Sequence, residues 1–219
     1  MKDVIIFGNR QIAEIAHFYL TKDAGRKVVA FTADQEYIEE TEFCGLPVVP
    51  FEEIESSKYA PDKCSMLVAI SYTKLNKIRE QKYLSAKSLG YSFISYVHSR
   101  ASAEGAVIGE NSFILENVVV QPFSKIGNNV TVWSGTHIGH HSEIGDNCFI
   151  TSQVVISGGV TVGKNCFIGV NATLRDHIAI GDNCIIGAGC LIMKDVAGDG
   201  LYSCVATERA AVSSQKIRL

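Results

Sequence analysis

His137, His140 and His141 crowd into five consecutive positions, and a carboxylate follows at Glu143. Groups of this kind support two chemistries. An imidazole titrates nearer neutrality than any other side chain, so one placed beside a hydroxyl or amine can take its proton as the reaction proceeds. Three imidazoles can instead hold a divalent metal, zinc above all. A second candidate site lies at Gly8-Asn9-Arg10-Gln11, between the apolar run Val4-Ile5-Ile6-Phe7 and the residues Ile12, Ile15, Ala16 and Tyr19, which recur at helical spacing. A strand, a glycine turn and a helix N-terminus in that order put unpaired backbone N–H groups where a phosphate can meet them. Only one glycine of a G-x-G-x-x-G loop is present, and an ordinary strand-to-helix turn explains the same residues.

Composition narrows the partners. With 20 Lys+Arg against 23 Asp+Glu, the 219-residue chain carries a formal charge of −3, so no cationic excess invites nucleic acid or an anionic membrane surface. At 47% hydrophobic and 20% charged residues the chain is of globular composition. No apolar run approaches the roughly 18 residues of a bilayer span. Met1-Lys2-Asp3 leads into an apolar run with no small-residue cleavage site, and a cytoplasmic protein is expected. The seven cysteines contain no C-x-x-C pair, which argues against both a disulfide framework and a cysteine-rich zinc site.

Two kinds of element must carry these groups. Residues 1–97 read as alternating strands and helices. Val28-Val29-Ala30-Phe31 and Met66-Leu67-Val68-Ala69-Ile70 are further apolar runs, a Lys/Arg-rich helical stretch follows from Tyr72 to Leu89, and Phe93-Ile94-Ser95-Tyr96-Val97 closes the set. Strands that are apolar throughout bury both faces, which predicts a small parallel, Rossmann-like α/β sheet with its ligand beyond the carboxyl ends of the strands.

Residues 98–219 follow another rule. From Ile108 to Ile192 every sixth residue is a branched aliphatic, fifteen positions without a miss. Two residues before each stands a mostly small side chain, so Cys148, Cys166, Cys184 and Cys190 are expected as packing residues of a core. A period of eighteen overlies the six: Ile108-Gly109-Glu110-Asn111 returns as Ile126-Gly127-Asn128-Asn129, Ile144-Gly145-Asp146-Asn147, Val162-Gly163-Lys164-Asn165 and Ile180-Gly181-Asp182-Asn183. Gly and Asn accept the positive φ of a tight corner. Three hexads per turn make a triangular coil, a parallel β-helix in which each coil stacks on the next. His140, two residues past the inward Ile138, falls near a corner, where a side chain can face outward.

These hexads resemble those of the left-handed β-helix acyltransferases. The whole chain resembles the bacterial sugar O- and N-acetyltransferases typified by sialic acid O-acetyltransferase and UDP-4-amino-sugar N-acetyltransferase. Similar stretches run in order through Val4 to Tyr19, Gly45-Leu46-Pro47-Val48-Val49, Leu67-Val68-Ala69-Ile70, Tyr96-Val97-His98 and Ile138-Gly139-His140-His141-Ser142-Glu143-Ile144-Gly145-Asp146. The resemblance implies a left-handed coil, a homotrimer, and acetyl-CoA in the groove between two subunits. Along that groove it places Phe149, Gly158, Gly159, Val170 and Ala188. It makes His140 the general base and gives the N-terminal domain a nucleotide-linked amino sugar, destined for a surface glycan such as lipopolysaccharide or capsule, held near Gly8, Asn9, Arg10 and Asp34. No metal is expected.

The chain departs from the family pattern at several of these places. His141 stands where an Asp or Glu usually orients the base, which leaves His141 itself or Glu143 for that role. Phe149 replaces a second histidine, Trp133 an asparagine, Arg10-Gln11-Ile12 a Gly-Gly-His loop, and Ala33-Asp34 an Asp-Asp pair, of which Asp34 remains to meet a ribose or base edge. Two other classes stay open. One is a zinc enzyme like the carbonic anhydrases of the same architecture, whose ligand spacing His137, His140 and His141 do not match. The other is a non-catalytic trimeric scaffold that binds a sugar nucleotide without CoA.

Overall fold

The apolar runs of the first hundred residues become the strands of one sheet. The protein is described here by a computed structural model covering residues 2–209, 211, 212 and 215. β1 (Asp3–Phe7), β2 (Val28–Ala33), β3 (Glu42–Phe43), β4 (Leu46–Pro50), β5 (Cys64–Val68) and β6 (Ser92–Phe93) lie in the order β3-β4-β2-β1-β5-β6. Neighbours pair in parallel except in the β3–β4 hairpin. The strands are apolar on both faces because both are covered. Helix α1 (Gln11–Lys22) packs on Val4, Ile6, Phe31 and Leu67, and α2 (Lys77–Ser88) on Ile5, Phe7, Ala30 and Met66.

Two expectations fail in this half. The closing strand expected over 93–97 is two strands: β6 finishes the sheet, whereas β7 (Tyr96–Val97) pairs with Phe113–Ile114 of the coil. The helix expected from Tyr72 begins only at Lys77, because Lys74, Leu75 and Asn76 take positive φ values of 51, 53 and 65°. Such a run is costly for L-residues. Asn76, fully buried, ties it down by donating from Nδ2 to the Cys166 carbonyl at 3.1 Å.

The period of six is a left-handed β-helix with three flat faces. One face stacks Val119–Val120, His137–Ile138, Val155–Ile156, Thr173–Leu174 and Leu191–Ile192; this is the His137 face. The Glu143 face stacks Val107–Ile108, Lys125–Ile126, Glu143–Ile144, Thr161–Val162 and Ala179–Ile180. The Phe149 face has seven strands, from β7 through Phe149–Ile150 to Leu201–Tyr202, so the coil extends past both ends of the repeat read from Ile108 to Ile192. The second residue of each pair points inward, and those from Ile114 to Ile192 are all buried. A buried Ile or Leu is worth about 1.5–3 kcal/mol, so the stack holds without a metal or disulfide. Cys148, Cys166, Cys184 and Cys190 lie in this core as free thiols. The Asn corners behave as their residues require: Asn111, Asn129, Asn147, Asn165 and Asn183 have φ between 54 and 63°.

The α/β unit is bonded to the Asn corner. Val68 N donates to Asn111 Oδ1 (2.7 Å), Asn111 Nδ2 to Asn129 Oδ1 (2.7 Å), Asn129 Nδ2 to Asn147 Oδ1 (2.8 Å), and Asn147 Nδ2 to Glu80 Oε1 of α2 (3.1 Å). Arg79, also on α2, is fully buried and donates to the carbonyls of Asn129, Asn147 and Cys148. Burial pulls its guanidinium down to about 10. Three phenols reinforce the seam by donating to carboxylates across it: Tyr19 to Glu116 (2.8 Å), Tyr83 to Glu110, and Tyr96 to Asp23 (2.8 Å). Among the described residues no helix is long and apolar enough to cross a membrane.

Candidate active site

His140 and His141 occupy the turn between the His137 face and the Glu143 face. His141 takes the left-handed corner position with φ 59°, as Asn does at the other corner, and both side chains are exposed. The turn is fixed from the coil before it. His140 N donates to Gln121 Oε1 at 2.9 Å, and the His141 ring stands 4.9 Å from the Phe123 ring. The two imidazoles meet edge to face at 84°, with Nδ1 of one 3.1 Å from Nδ1 of the other. The coil after it supplies the floor. A Cβ on Gly158 would lie 2.7 Å from His140 Cε1 and 2.8 Å from Nε2, so a side chain there would push the ring aside; the imidazole of His177 lies over Gly159 in the same way.

Glu143 is not turned to this pair. It sits on the next strand and is bonded to Lys125 at 2.7 Å, one coil back, both side chains more than half exposed. A pair so open to water holds Glu143 only weakly, but its partner is Lys125 and not a histidine. Among the described residues no three His, Cys, Asp or Glu side chains are placed to hold a metal, although His137 is close in sequence.

The acetyl-CoA residues expected from the resemblance divide. Val170 and Ala188 are exposed at the corner that begins the His137 face, and Gly158 and Gly159 lie at the corner that ends it. Between them the face presents Val155 and Leu191 at 40% and 64% exposure. Phe149 is a correction. It lies on another face, 2% exposed, stacked on Phe167, edge-on to Tyr72 and under the Arg79 guanidinium. Its large apolar ring is covered by the α/β unit, so it cannot line a channel on the His137 face. Trp133 packs beside it as part of the seam.

The N-terminal expectation leads to a cavity of about 530 Å³ beyond the carboxyl ends of β1, β2 and β5. Gly8, Asn9, Arg10 and Asp34 all line it. Gly8 has φ 129°, and a Cβ there would meet the Ala69 carbonyl at 2.7 Å. Three of the four are engaged within the chain: Asp34 is paired with Lys82 at 2.6 Å, both side chains largely buried, the exposed Arg10 with Glu39 at 2.7 Å, and Asn9 with a backbone carbonyl, its Nδ2 donating to Tyr37. Tyr37, Ser71, Thr73, Lys74 and Lys82 complete the wall and were not anticipated. Ser71 and Thr73 follow the end of β5 and were within reach of the rule that ligands lie beyond carboxyl ends; Lys82 had no signal, since its partner is 48 residues away.

Comparison with known proteins bears on the coil first. The family described as bacterial transferase hexapeptide, six repeats, matches residues 105–139, 123–158 and 159–194. No curated protein matches the chain. Among solved structures, PerB from Caulobacter crescentus in complex with CoA and GDP-perosamine is 24% identical, with a TM-score of 0.81 over 92% of this chain and 93% of that one. The acetyltransferase domain of PglB from Neisseria gonorrhoeae FA1090 in complex with acetyl coenzyme A is 22% identical, with a TM-score of 0.79 over 91% and 96%. WeeI from Acinetobacter baumannii AYE is 17% identical, with a TM-score of 0.58 over 92% and 96%. The two-part fold is common to all of them.

Proposed function

We propose, on the premise that residues 105–194 are bacterial transferase hexapeptide repeats, that the protein moves an acetyl group from acetyl-CoA to a nucleotide-linked sugar, with His140 as general base. The observation that carries this is the His140 imidazole itself. It is exposed on a turn and seated on a glycine, its Nδ1 faces His141 Nδ1, and its Nε2 lies outside that contact. Its turn borders the His137 face, where Gly158, Gly159, Val170 and Ala188 would receive the pantetheine. The complexes of the two similar proteins, with acetyl coenzyme A and with CoA plus GDP-perosamine, support the donor and the acceptor class.

The step balances with one base. The acceptor's amine or hydroxyl attacks the thioester carbonyl carbon while His140 Nε2 takes the proton, a new C–N or C–O bond forms, and the C–S bond breaks. The imidazolium then returns the proton to the leaving sulfur as CoA thiol. The α/β cavity holds the nucleotide end of the acceptor, which gives the reaction its positioning. Replacing His140 by Ala is expected to lower kcat by about 10²- to 10⁴-fold while acetyl-CoA binding, read by calorimetry, is retained. Thiol release from acetyl-CoA with a panel of nucleotide-linked amino sugars tests the reaction directly. Activity that survives His140→Ala, is lost on chelation and returns with zinc would replace this reading with the anhydrase-like one.

A further inference from the structure

We infer that His141 is the positioning residue of the site: its Nδ1 lone pair accepts the proton of His140 Nδ1–H and thereby fixes the tautomer in which His140 Nε2 is free to act. The inference rests on the proposed acetyl transfer and adds to it the group that selects the working form of the base. Only one hydrogen fits between two Nδ1 atoms 3.1 Å apart. If His140 supplies it, His140 Nε2 carries a lone pair and His141 holds its own hydrogen on Nε2. If His141 supplies it, His140 must hold its hydrogen on Nε2 and cannot accept the substrate's proton. The orienting role, taken by a carboxylate in many histidine bases, is here taken by a group that can itself be protonated.

The surroundings leave the pair to each other. The turn stacked before it is Gln121-Pro122-Phe123-Ser124 and the turn stacked after it is Ser157-Gly158-Gly159-Val160, neither with an ionisable side chain. Gln121 Oε1 accepts from the His140 backbone N–H, and Phe123 gives His141 an apolar ring contact. On the flanking strands, Glu143 is bonded to Lys125 and His137 pairs along the sheet. Beyond the glycines the next turn brings Arg175, Asp176 and His177, of which His177 reaches back over Gly159. Among the described residues no carboxylate is bonded to either ring, and a hydrogen on His140 Nε2 removes the base. When the proton is on His140, its Nδ1–H still donates to His141, which stabilises the cation formed in the reaction.

The test is nitrogen-detected NMR of the histidine rings in the intact protein together with the pH dependence of kcat/KM for acetyl transfer. With both rings neutral, His140 is expected to carry its hydrogen on Nδ1 and His141 on Nε2. His141→Ala should lower kcat roughly 10- to 100-fold, part of what a general base supplies, with the KM for acetyl-CoA within about twofold. It should also move the acid limb to lower pH, because the shared-proton cation is lost. His141→Asn, the residue found at the equivalent left-handed position of the neighbouring corner, keeps an acceptor in a tolerated backbone; it should restore most of the rate and leave a single-proton acid limb. A His140 that holds its hydrogen on Nε2, or a His141→Ala enzyme with unchanged rate and acid limb, overturns the inference while leaving His140 as base. Loss of the His140 dependence itself would overturn the functional reading instead.

Discussion

At the scale of residues, the glycine under His140 is as informative as the histidine. Gly158 was expected beside the pantetheine because small residues allow close approach, but its Cα is also the floor of the imidazole. Its φ is not in the left-handed region, so alanine fits the backbone and only the ring has to move. Gly158→Ala is therefore expected to displace His140 and lower kcat by about 10²-fold, the usual cost of a misplacement near 1 Å, with the melting temperature nearly unchanged. Gly163 provides the contrast: a Cβ there would lie 2.6 Å from the backbone N of Asp182 in the next coil, which cannot swing away. Gly163→Ala should lower the melting temperature and leave the per-molecule rate of folded enzyme intact. Measuring kcat and thermal unfolding for both variants checks the pair. Legibility followed the same division. The position of His140 on a corner came from counting sixes, and both Gln121 and Lys125 lie about one eighteen-residue coil before the groups they hold, so they were within reach of the same arithmetic. The engagement of Asp34 by Lys82 was not, because it joins elements with no common period.

At the scale of elements, the seam between the α/β unit and the coil was the part the pattern concealed. Phe149 and Phe167 follow the repeat like any outward residue, yet they are covered by Tyr72 because the chain folds back on that face. The short strand at Tyr96–Val97 reads as the end of the sheet because its apolar run is continuous with Phe93-Ile94, and only its pairing with Phe113–Ile114 assigns it to the coil. The seam also sets how the protein responds to base. Burial first, and then the hydrogen bonds to Glu116 and Glu110, push Tyr19 and Tyr83 up to about 12, and burial followed by the hydrogen bond to Asp23 raises Tyr96 as well. An unfolded tyrosine titrates near 10. Below that pH both states hold the phenolic protons and this contribution is flat. Between about 10 and 12 the unfolded chain releases protons that the folded chain keeps, so stability falls as pH rises. The melting temperature is expected to decline across that window, and Tyr19→Phe with Tyr83→Phe should shallow the decline. A wild-type melting temperature that stays level across the window would contradict this account of the seam.

At the scale of the whole molecule, the His137 face sets the requirement. One chain leaves Val119, Val155 and Leu191 exposed on a flat face, alternating with His137 and Thr173, with Val170 at its edge at 43%. The Phe149 face, by contrast, is covered by the protein's own α/β unit from Phe113 to Phe149. Apolar residues gathered on one face and bordered by the histidine turn are the form a subunit interface or a ligand groove takes. A single prism offers only a flat side, whereas two prisms set against each other along this face make a groove with walls. The family resemblance implies a cyclic trimer, which would give every chain one such groove, because each contact then pairs one surface with a different surface of the neighbour. Light scattering is therefore expected to report about three times the 23.8 kDa chain mass. Val155→Glu, which puts a charge in the middle of the face, should shift the protein to single chains that keep their melting behaviour and nucleotide-sugar affinity but lose measurable acetyl-CoA binding. Acetyl-CoA bound with undiminished affinity by single chains would show that the groove belongs to one subunit, and the trimeric site would have to be abandoned.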